Sequence, residues 1–317
     1  MAKVPQVLHD MLVEDWGGEL TERIEAGYRG QRPVSMRVNT LKSTREEIVG
    51  ELDAAGIAWH EVRWYPDALV LENVREETVM QLPMYTEGRI YLQSLSAMIP
   101  PLVLKTKPGD SVLDMAAAPG GKTTQICALA GGRVTVTACE RDHVRAQRLA
   151  YNLRLQGAKS ATVMEGDARN LNDLFRFDAV LLDAPCTGSG TLQLDVETED
   201  RRMEAGWVRK IQTTQRGLLK KGLSVLRAGG SMVYATCSVL RGENEDALDF
   251  ALNQGYAELV PLDADWGHLN LLPSSRKGTL TICPDSLFEG FFVAALRRTD
   301  KPMPQQESGS SRGRKRR

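Results

Sequence analysis

The sequence is poor in the residues that build disulfide frameworks, metal centres and membrane spans. Five cysteines and four histidines occur in 317 residues, and no Cys-x-x-Cys pattern is present. An odd number of widely spaced cysteines argues against a disulfide framework or a zinc site. No apolar run approaches the roughly 20 residues that a membrane span requires. Asp10, Glu14 and Asp15 lie where a signal peptide would be apolar. We therefore expect no metal, no membrane association and a cytoplasmic location.

Net charge is almost absent overall but is unevenly distributed along the chain. Lys plus Arg number 40 and Asp plus Glu 41, a balance that argues against a nucleic-acid-binding protein. Divided by position, residues 1–105 carry 11 basic and 16 acidic side chains, 106–300 carry 23 and 24, and 301–317 carry six and one. This composition predicts a disordered basic tail over 301–317.

One stretch inside the middle segment is basic without any acid. It spans 207–227 and is either a solvated helix face or a surface that contacts phosphate. The candidate RNA contacts in it are Arg209, Lys210, Arg216, Lys220 and Lys221.

Alternating strand and helix patterns dominate residues 106–300. Repeated β-α units predict a mostly parallel sheet with helices on both faces, and 280–283 with 291–296 predict an antiparallel closing pair. The first third predicts a helical segment over 1–29 and a small α/β module over 30–105. Pro100-Pro101 and residues 107–110 are interpreted as the join to the larger domain.

A small-residue loop lies between the first strand and first helix of the larger domain. It reads Asp-Met-Ala-Ala-Ala-Pro-Gly-Gly-Lys-Thr over 114–123. Small residues let the backbone approach a ligand, and the helix N-terminus offers unpaired amides. A phosphate-binding loop would require glycine at 116, where this chain has alanine, and G-x-G-x-x-G is absent. A phosphate-binding ATPase is therefore disfavoured.

Acidic residues follow the next two strands in register. Glu140 lies 20 residues beyond Gly120, a spacing suited to ribose hydroxyls. Asp167 follows the third strand, where a carboxylate can accept a hydrogen bond from an adenine amino group. One acid at a strand end is more often a cap or a solvated residue, but the series predicts adenosine binding. Adenosine binding without a phosphate-binding loop indicates S-adenosylmethionine as the cofactor.

Two cysteines follow the fourth and fifth strands, in Asp183-Ala-Pro-Cys186 and Ala235-Thr-Cys237-Ser238. Thiols beside a methyl donor fit methylation of a pyrimidine carbon. A thiolate adds to C6 of cytosine, C5 accepts the methyl group, and loss of the C5 proton expels the enzyme. Asp183 is the candidate that protonates or hydrogen-bonds N3, and the base must leave its stack.

Together these motifs resemble the NOL1/NOP2/Sun family of RNA cytosine-C5 methyltransferases, from about Arg37 to Phe292. The resemblance implies an α/β class I S-adenosylmethionine-dependent methyltransferase with a small N-terminal α/β RNA-binding module. It implies Cys237 as the nucleophile and Cys186 as the cysteine that assists product release. Lys122 is expected to order the donor loop and contact Asp183. The implied cofactor contacts are Ala116, Ala117, Ala118, Pro119, Gly120, Gly121, Lys122, Glu140, Asp167 and Asp183.

Three positions depart from the family pattern, and two other functions stay open. Ala116 stands where cysteine is commoner, Ser94 follows Gln93 where Gln-Asp is usual, and Glu289 replaces aspartate before Gly290. One alternative is a DNA cytosine-C5 methyltransferase that attacks with Cys186. The other is a non-catalytic RNA-binding ribosome-assembly factor. The RNA is either ribosomal or transfer RNA, and we expect a monomer.

Overall fold

Two sheets organise the chain. The computed structural model describes residues 4–194, 204–262, 266 and 268–303, and the tail predicted over 301–317 lies outside them from residue 304 onward. The smaller sheet is antiparallel, with strand order β2-β3-β1-β4. Its strands are β1 (Val34–Val38), β2 (Trp59–Glu61), β3 (Ala68–Leu71) and β4 (Ile90–Leu92).

The larger sheet has strand order β11-β12-β13-β9-β8-β5-β6-β7, and β10 pairs with β13. Its strands are β5 (Ser111–Asp114), β6 (Thr135–Glu140), β7 (Ala161–Glu165), β8 (Phe177–Asp183), β9 (Leu226–Thr236), β10 (Ala257–Leu259), β11 (Leu271–Leu272), β12 (Thr279–Ile282) and β13 (Phe291–Arg298). β5 to β9 pair in parallel, whereas β10 to β13 pair antiparallel. The predicted fold class is confirmed.

Helices cover both faces of the larger sheet and also pack beside the smaller one. They are α1 (Gln6–Gly27, kinked at Gly17), α2 (Arg45–Ala54), α3 (Glu76–Val79), α4 (Pro83–Thr86), α5 (Leu95–Leu104), α6 (Gly121–Leu129), α7 (His143–Leu155), α8 (Ala205–Val225) and α9 (Glu245–Asn253). Successive strand residues point to opposite faces. Accordingly, Val112 joins the core under α5, α6 and α7, whereas Leu113 joins the core under α8 and α9.

Pro100 and Pro101 were expected to mark a domain join, and the structure places them inside α5 instead. Proline normally breaks a helix because it lacks an amide donor. Here the Ala97 carbonyl, which would accept from residue 101, accepts from Gln93 Nε2 at 2.9 Å. Both prolines are buried, and α5 packs on α6 and on the larger sheet. The boundary predicted at 105 therefore follows a helix that belongs with the larger sheet.

The parallel strands end at one edge of the larger sheet, which positions the candidate site. Asp114 closes β5, Glu140 closes β6, and Asp183 closes β8, next to β9. Among the described residues, no helix has the length and apolarity to cross a bilayer. The same residues contain no group of three or more His, Cys, Asp or Glu suited to a metal.

Candidate active site

The loop between β5 and α6 favours glycine at two adjacent positions, for different reasons. Gly120 has a φ of +112°, a conformation that L side chains rarely adopt. A Cβ on Gly121 would approach Tyr91 Cε1 to 3.0 Å. The loop lines a cavity of about 200 Å³ together with Tyr91, Lys122 and Asp183. This arrangement leaves the backbone open to a ligand at the start of α6.

Asp114 is a site residue that the sequence reasoning did not assign. Its side chain is buried, and Oδ2 accepts from Thr123 Oγ1 at 2.6 Å, but the buried Oδ1 has no hydrogen-bond partner. Burial raises the pKa of Asp114 to about 6. The residue lines the same cavity as the donor loop. A charged residue ending a buried strand was the available signal, because carboxylates are seldom buried without a partner.

Glu140 and Asp167 line a second, smaller cavity together with Ala116. Glu140 is buried, and its Oε1 accepts from the Asp142 amide at 2.9 Å. Asp167 accepts from both the amide and the guanidinium of Arg169, which lowers the pKa of Asp167. The predicted ribose-side and adenine-side acids therefore face one space, although the Asp167 carboxylate also caps a short 3₁₀ helix at Ala168–Asn170.

Lys122 and Asp183 form an ion pair between the donor loop and the end of β8. Lys122 Nζ lies 2.7 Å from Asp183 Oδ2 and 5.6 Å from the Phe291 ring centre. Burial alone would lower the pKa of Lys122, but Asp183 raises it, with a smaller contribution in the same direction from Cys237. Lys122 therefore stays a cation within electrostatic reach of the thiols.

The two predicted thiols meet because β8 and β9 are parallel neighbours. Asp183 pairs with Ala235, and the Ala184 amide donates to the Ala235 carbonyl at 2.8 Å. The following residues therefore lie side by side, with Cys186 Sγ and Cys237 Sγ 3.1 Å apart. Both cysteines are free and only half-buried. Cys127, Cys139 and Cys283 are fully buried, as the sequence interpretation expected.

The surroundings of Cys186 favour its protonated form. The hydrogen bond to Cys237 raises the pKa of Cys186, and burial and the charges of Cys237 and Glu243 act in the same direction. A thiolate, not a thiol, is the attacking species in covalent catalysis. Cys186 is therefore poorly suited to attack first, and it can instead donate to Cys237.

The basic stretch lies on α8, and the structure divides its members. Arg209, Lys210 and Arg216 are exposed, and Lys220 is half-buried. Lys221 is buried, and its Nζ donates to the Leu171 carbonyl at 2.9 Å and contacts Asp173 at 2.6 Å. The prediction that Lys221 contacts RNA is wrong, because its ammonium is buried and is bonded to the Leu171 carbonyl and Asp173.

Two departures from the family pattern contact each other. Ser94 Oγ donates to Glu289 Oε2 at 2.6 Å, and Ser96 Oγ donates to the Glu289 carbonyl at 2.8 Å. The short hydroxyl at 94 leaves room for the longer carboxylate at 289. Both residues line a polar cavity of about 450 Å³ that shares Tyr91 and Gln93 with the donor-loop cavity.

The parallel sheet, the glycine loop at its edge and the acids after successive strands define a class I methyltransferase fold. Residues 101–297 match the family model described as "16S rRNA methyltransferase RsmB/F". Residues 4–76 match "Methyltr_RsmF/B-like, ferredoxin-like domain". The chain belongs to this RsmB/F methyltransferase family. The match supports the predicted cofactor, S-adenosylmethionine.

Individual relatives agree with this assignment. The chain is 34% identical over 278 residues to "Ribosomal RNA small subunit methyltransferase F" of Shewanella oneidensis, covering 84% of this chain and 57% of that protein. It is 30% identical to "28S rRNA (cytosine(4447)-C(5))-methyltransferase" of Homo sapiens, covering 92% of this chain and 37% of that protein. The chain thus spans less than two thirds of either relative.

A solved structure shows the same fold over nearly the whole chain. The methyltransferase homolog protein from Pyrococcus horikoshii is 32% identical and superposes with a TM-score of 0.78. The match covers 93% of this chain and 100% of that one. The N-terminal module and the methyltransferase domain are therefore both part of the shared architecture.

Proposed function

We propose that the protein is an S-adenosylmethionine-dependent RNA cytosine-C5 methyltransferase that forms 5-methylcytosine in ribosomal RNA. The observation that carries the proposal is the pair of half-buried thiols, 3.1 Å apart, at the strand edge that holds the Lys122–Asp183 ion pair. The names of the bacterial and human relatives favour ribosomal RNA over transfer RNA.

The residues around the cleft fit the proposed cofactor. The unpartnered Oδ1 of Asp114 can accept from the ammonium of a methionine group, and Ala116–Pro119, Gly121 and Lys122 of the donor loop line the same cavity. Glu140 and Asp167 line the neighbouring cavity, where they would hold ribose and adenine. When bound, the cofactor supplies an electrophilic methyl group to the carbon that these residues bring close.

Cys237 would add to C6 of the target cytosine as a thiolate, making C5 nucleophilic. Negative charge that develops on the base would be stabilised by the Lys122 ammonium, which lies 2.7 Å from Asp183 Oδ2. After methylation, solvent water accepts the C5 proton, the electrons of the C5–H bond form the C5–C6 double bond, and the bond between Cys237 Sγ and C6 breaks so that Cys237 leaves as a thiolate. Cys186, in contact with that sulfur, would assist this release.

A DNA-type mechanism with Cys186 as the nucleophile is the main alternative chemistry. The raised pKa of Cys186, caused first by its hydrogen bond to Cys237, opposes it. A non-catalytic assembly factor is opposed by the close arrangement of both thiols, Lys122 and Asp183.

Trapping on RNA that contains 5-azacytidine tests the proposal. We expect the wild-type chain to form a covalent adduct that survives denaturation, Cys237→Ala to form none, and Cys186→Ala to form it. On ordinary RNA, Cys186→Ala should accumulate the adduct because release is slow. Adduct formation by Cys237→Ala but not by Cys186→Ala would show that Cys186 is the nucleophile. Adducts that form on DNA but not on RNA would show that the substrate is DNA.

Bisulfite sequencing of RNA from a strain lacking this gene tests the substrate. We expect a 5-methylcytosine to disappear from ribosomal RNA and to return when the wild-type chain is supplied. Loss of a site in transfer RNA with ribosomal RNA unchanged would contradict the proposed substrate.

A further inference from the structure

Two consecutive residues, Glu243 and Asn244, lie beneath the two thiol-bearing loops. They stand at the end of a 3₁₀ turn (Arg241–Glu243) and the start of α9. Both side chains are fully buried. Neither side chain touches the proposed substrate, and Glu243 has so far entered only through the effect of its charge on the pKa of Cys186. Buried polar side chains must find hydrogen-bond partners, and the partners of these two are the residues that flank the cysteines.

Glu243 holds the loop that carries Cys186. Its Oε1 accepts from the Thr187 amide at 2.9 Å, and its Oε2 accepts from Thr187 Oγ1 at 2.7 Å. On the other side of the cysteine, the Pro185 carbonyl accepts from Gln215 Nε2 at 2.9 Å, and that amide also lies 3.4 Å from Glu243 Oε1. The backbone is thus fixed on both sides of Cys186.

Asn244 holds the loop that carries Cys237 in the same manner. Its Oδ1 accepts from Thr236 Oγ1 at 2.5 Å, and its Nδ2 donates to the Ser238 carbonyl at 2.9 Å. Its two amide atoms therefore bond to the residue before and the residue after Cys237. Asparagine fits this position because it offers one acceptor and one donor in a fixed geometry.

The two loops are also bonded to each other. Ser189 Oγ and Ser238 Oγ lie 2.9 Å apart, and the Gly190 amide donates to the Cys237 carbonyl at 3.0 Å. A Cβ on Gly190 would come within 2.0 Å of the Gly290 carbonyl oxygen, so the two backbone segments pack too closely here for any side chain at position 190. The sulfur–sulfur distance is therefore set by a continuous hydrogen-bonded framework.

We propose that Glu243 and Asn244 are positioning residues for the two thiols, with Glu243 acting through the Cys186 loop and Asn244 through the Cys237 loop. This inference rests on the function proposed above. Asn244 then governs attack on the base, and Glu243 governs release of the product. The Glu243 carboxylate has a second effect: burial raises the pKa of Glu243 itself, and in its ionised form its charge contributes to the raised pKa of Cys186, after the Cys237 hydrogen bond and burial.

Two isosteric substitutions separate these roles. Asn244→Asp keeps the acceptor for Thr236 but places an oxygen against the Ser238 carbonyl, so adduct formation should slow about 10-fold or more. Glu243→Gln keeps an acceptor for the Thr187 amide but removes the charge. It should form the adduct at the wild-type rate and release methylated RNA about 10-fold more slowly, because the amide nitrogen of Gln replaces the oxygen that accepts from Thr187 Oγ1 and so loosens the Cys186 loop. Asp246→Asn, exposed two residues from Asn244, is the matched control and should change neither step.

A chemical readout tests Glu243 without any turnover. We expect the pH profile for alkylation of Cys186 by iodoacetamide, followed by peptide mass spectrometry, to move to lower pH in Glu243→Gln. A merely structural role would not move this profile. If the wild-type chain forms no adduct, the proposed function fails, whereas the alkylation profile still tests the inference.

Equal defects of both variants in both steps, or wild-type behaviour of both, would overturn the proposal, as would an unshifted Cys186 profile. If Glu243→Gln or Asn244→Asp prevents folding, Thr187→Val and Thr236→Val serve as the test instead. Each removes the hydroxyl that donates to Glu243 or Asn244, respectively. We expect Thr187→Val to slow release and Thr236→Val to slow adduct formation, and the reverse pattern contradicts the assignment.

Discussion

The two sides of the cleft are held in place by different parts of the chain. The donor side, residues 116–122, is fixed by Arg37 of β1, whose fully buried guanidinium donates to the Gly121 carbonyl at 3.0 Å. The thiol side, which comprises the loops that carry Cys186 and Cys237, is fixed by α1, where Trp16 Nε1 donates to the Val239 carbonyl at 2.8 Å. Arg37 lies 84 residues before its partner, and Trp16 lies 223 residues before its partner.

The N-terminal third therefore does more than form a separate module, because both supports come from it. α1 shares an apolar cluster with Leu192, Leu194, Val239 and Leu240, which follow the two cysteines along the chain. Arg37 also donates to Gln93 Oε1 at 3.0 Å and thereby links β1, the segment before α5 and the start of α6. The donor side and the thiol side should therefore be separable by mutation at these two supports.

The largest effect is expected from removing the support of the thiol side. Trp16→Ala deletes a buried indole and leaves the Val239 carbonyl without its donor, at a cost of about 3–5 kcal/mol in the free energy of unfolding. Adduct formation should slow in the protein that remains folded, while its affinity for S-adenosylmethionine stays unchanged. Urea denaturation and calorimetric titration measure the two quantities. Val13→Ala, at an exposed position of α1, is the control.

Removing the support of the donor side should give the opposite pattern. Arg37→Met leaves Gln93 Oε1 without its donor and removes one of the donors to the Gly121 carbonyl, which also accepts from Thr124 Oγ1 at 3.0 Å, so we expect a loss of about 2–3 kcal/mol in stability. Affinity for S-adenosylmethionine should fall, whereas adduct formation on 5-azacytidine RNA measured without the cofactor should persist. Arg63→Met, exposed on the same module, should leave both unchanged. A thiol-side defect in Arg37→Met would mean that the two sides are not independent.

The sequence predicts the donor side more completely than the thiol side, for a physical reason. Loop 114–123 is contiguous, so its small residues reveal its chemistry before any fold is known. Cys186 and Cys237 were also predicted to lie at the cleft, because ligands collect at the carboxyl ends of parallel strands. The residues that support the two cysteine loops were not predicted. In the sequence, Trp16 and Glu243 resemble ordinary helix residues, and only the fold brings Trp16 to Val239 and Glu243 to Thr187. The prediction that Lys221 contacts RNA failed for the same reason, because its charge alone does not reveal that Asp173 lies beside it in the fold.

A smaller effect is expected from pH on the donor side alone. Burial raises the pKa of Asp114 to about 6, so the carboxylate in the folded chain ionises as the pH rises through that value. If Oδ1 accepts from the cofactor's ammonium, affinity should increase up to about 10-fold between pH 5 and pH 7. Calorimetric titration measures the change. Asp114→Asn should bind more weakly at pH 7 and lose most of this dependence, whereas Cys237→Ala should keep it.

The smallest effect is expected on the exposed face of α8, outside both sides of the cleft. Arg209, Lys210 and Arg216 are exposed and can release counterions when they contact phosphate. Changing all three to Gln should reduce the salt dependence of RNA binding, lowering the slope of log K against log salt by up to about 2. Lys221→Gln is the contrasting variant, since its buried ammonium should affect stability and leave the slope unchanged. An unaltered slope in the triple variant would place the phosphate contacts elsewhere, and the cleft chemistry should be the same in either case.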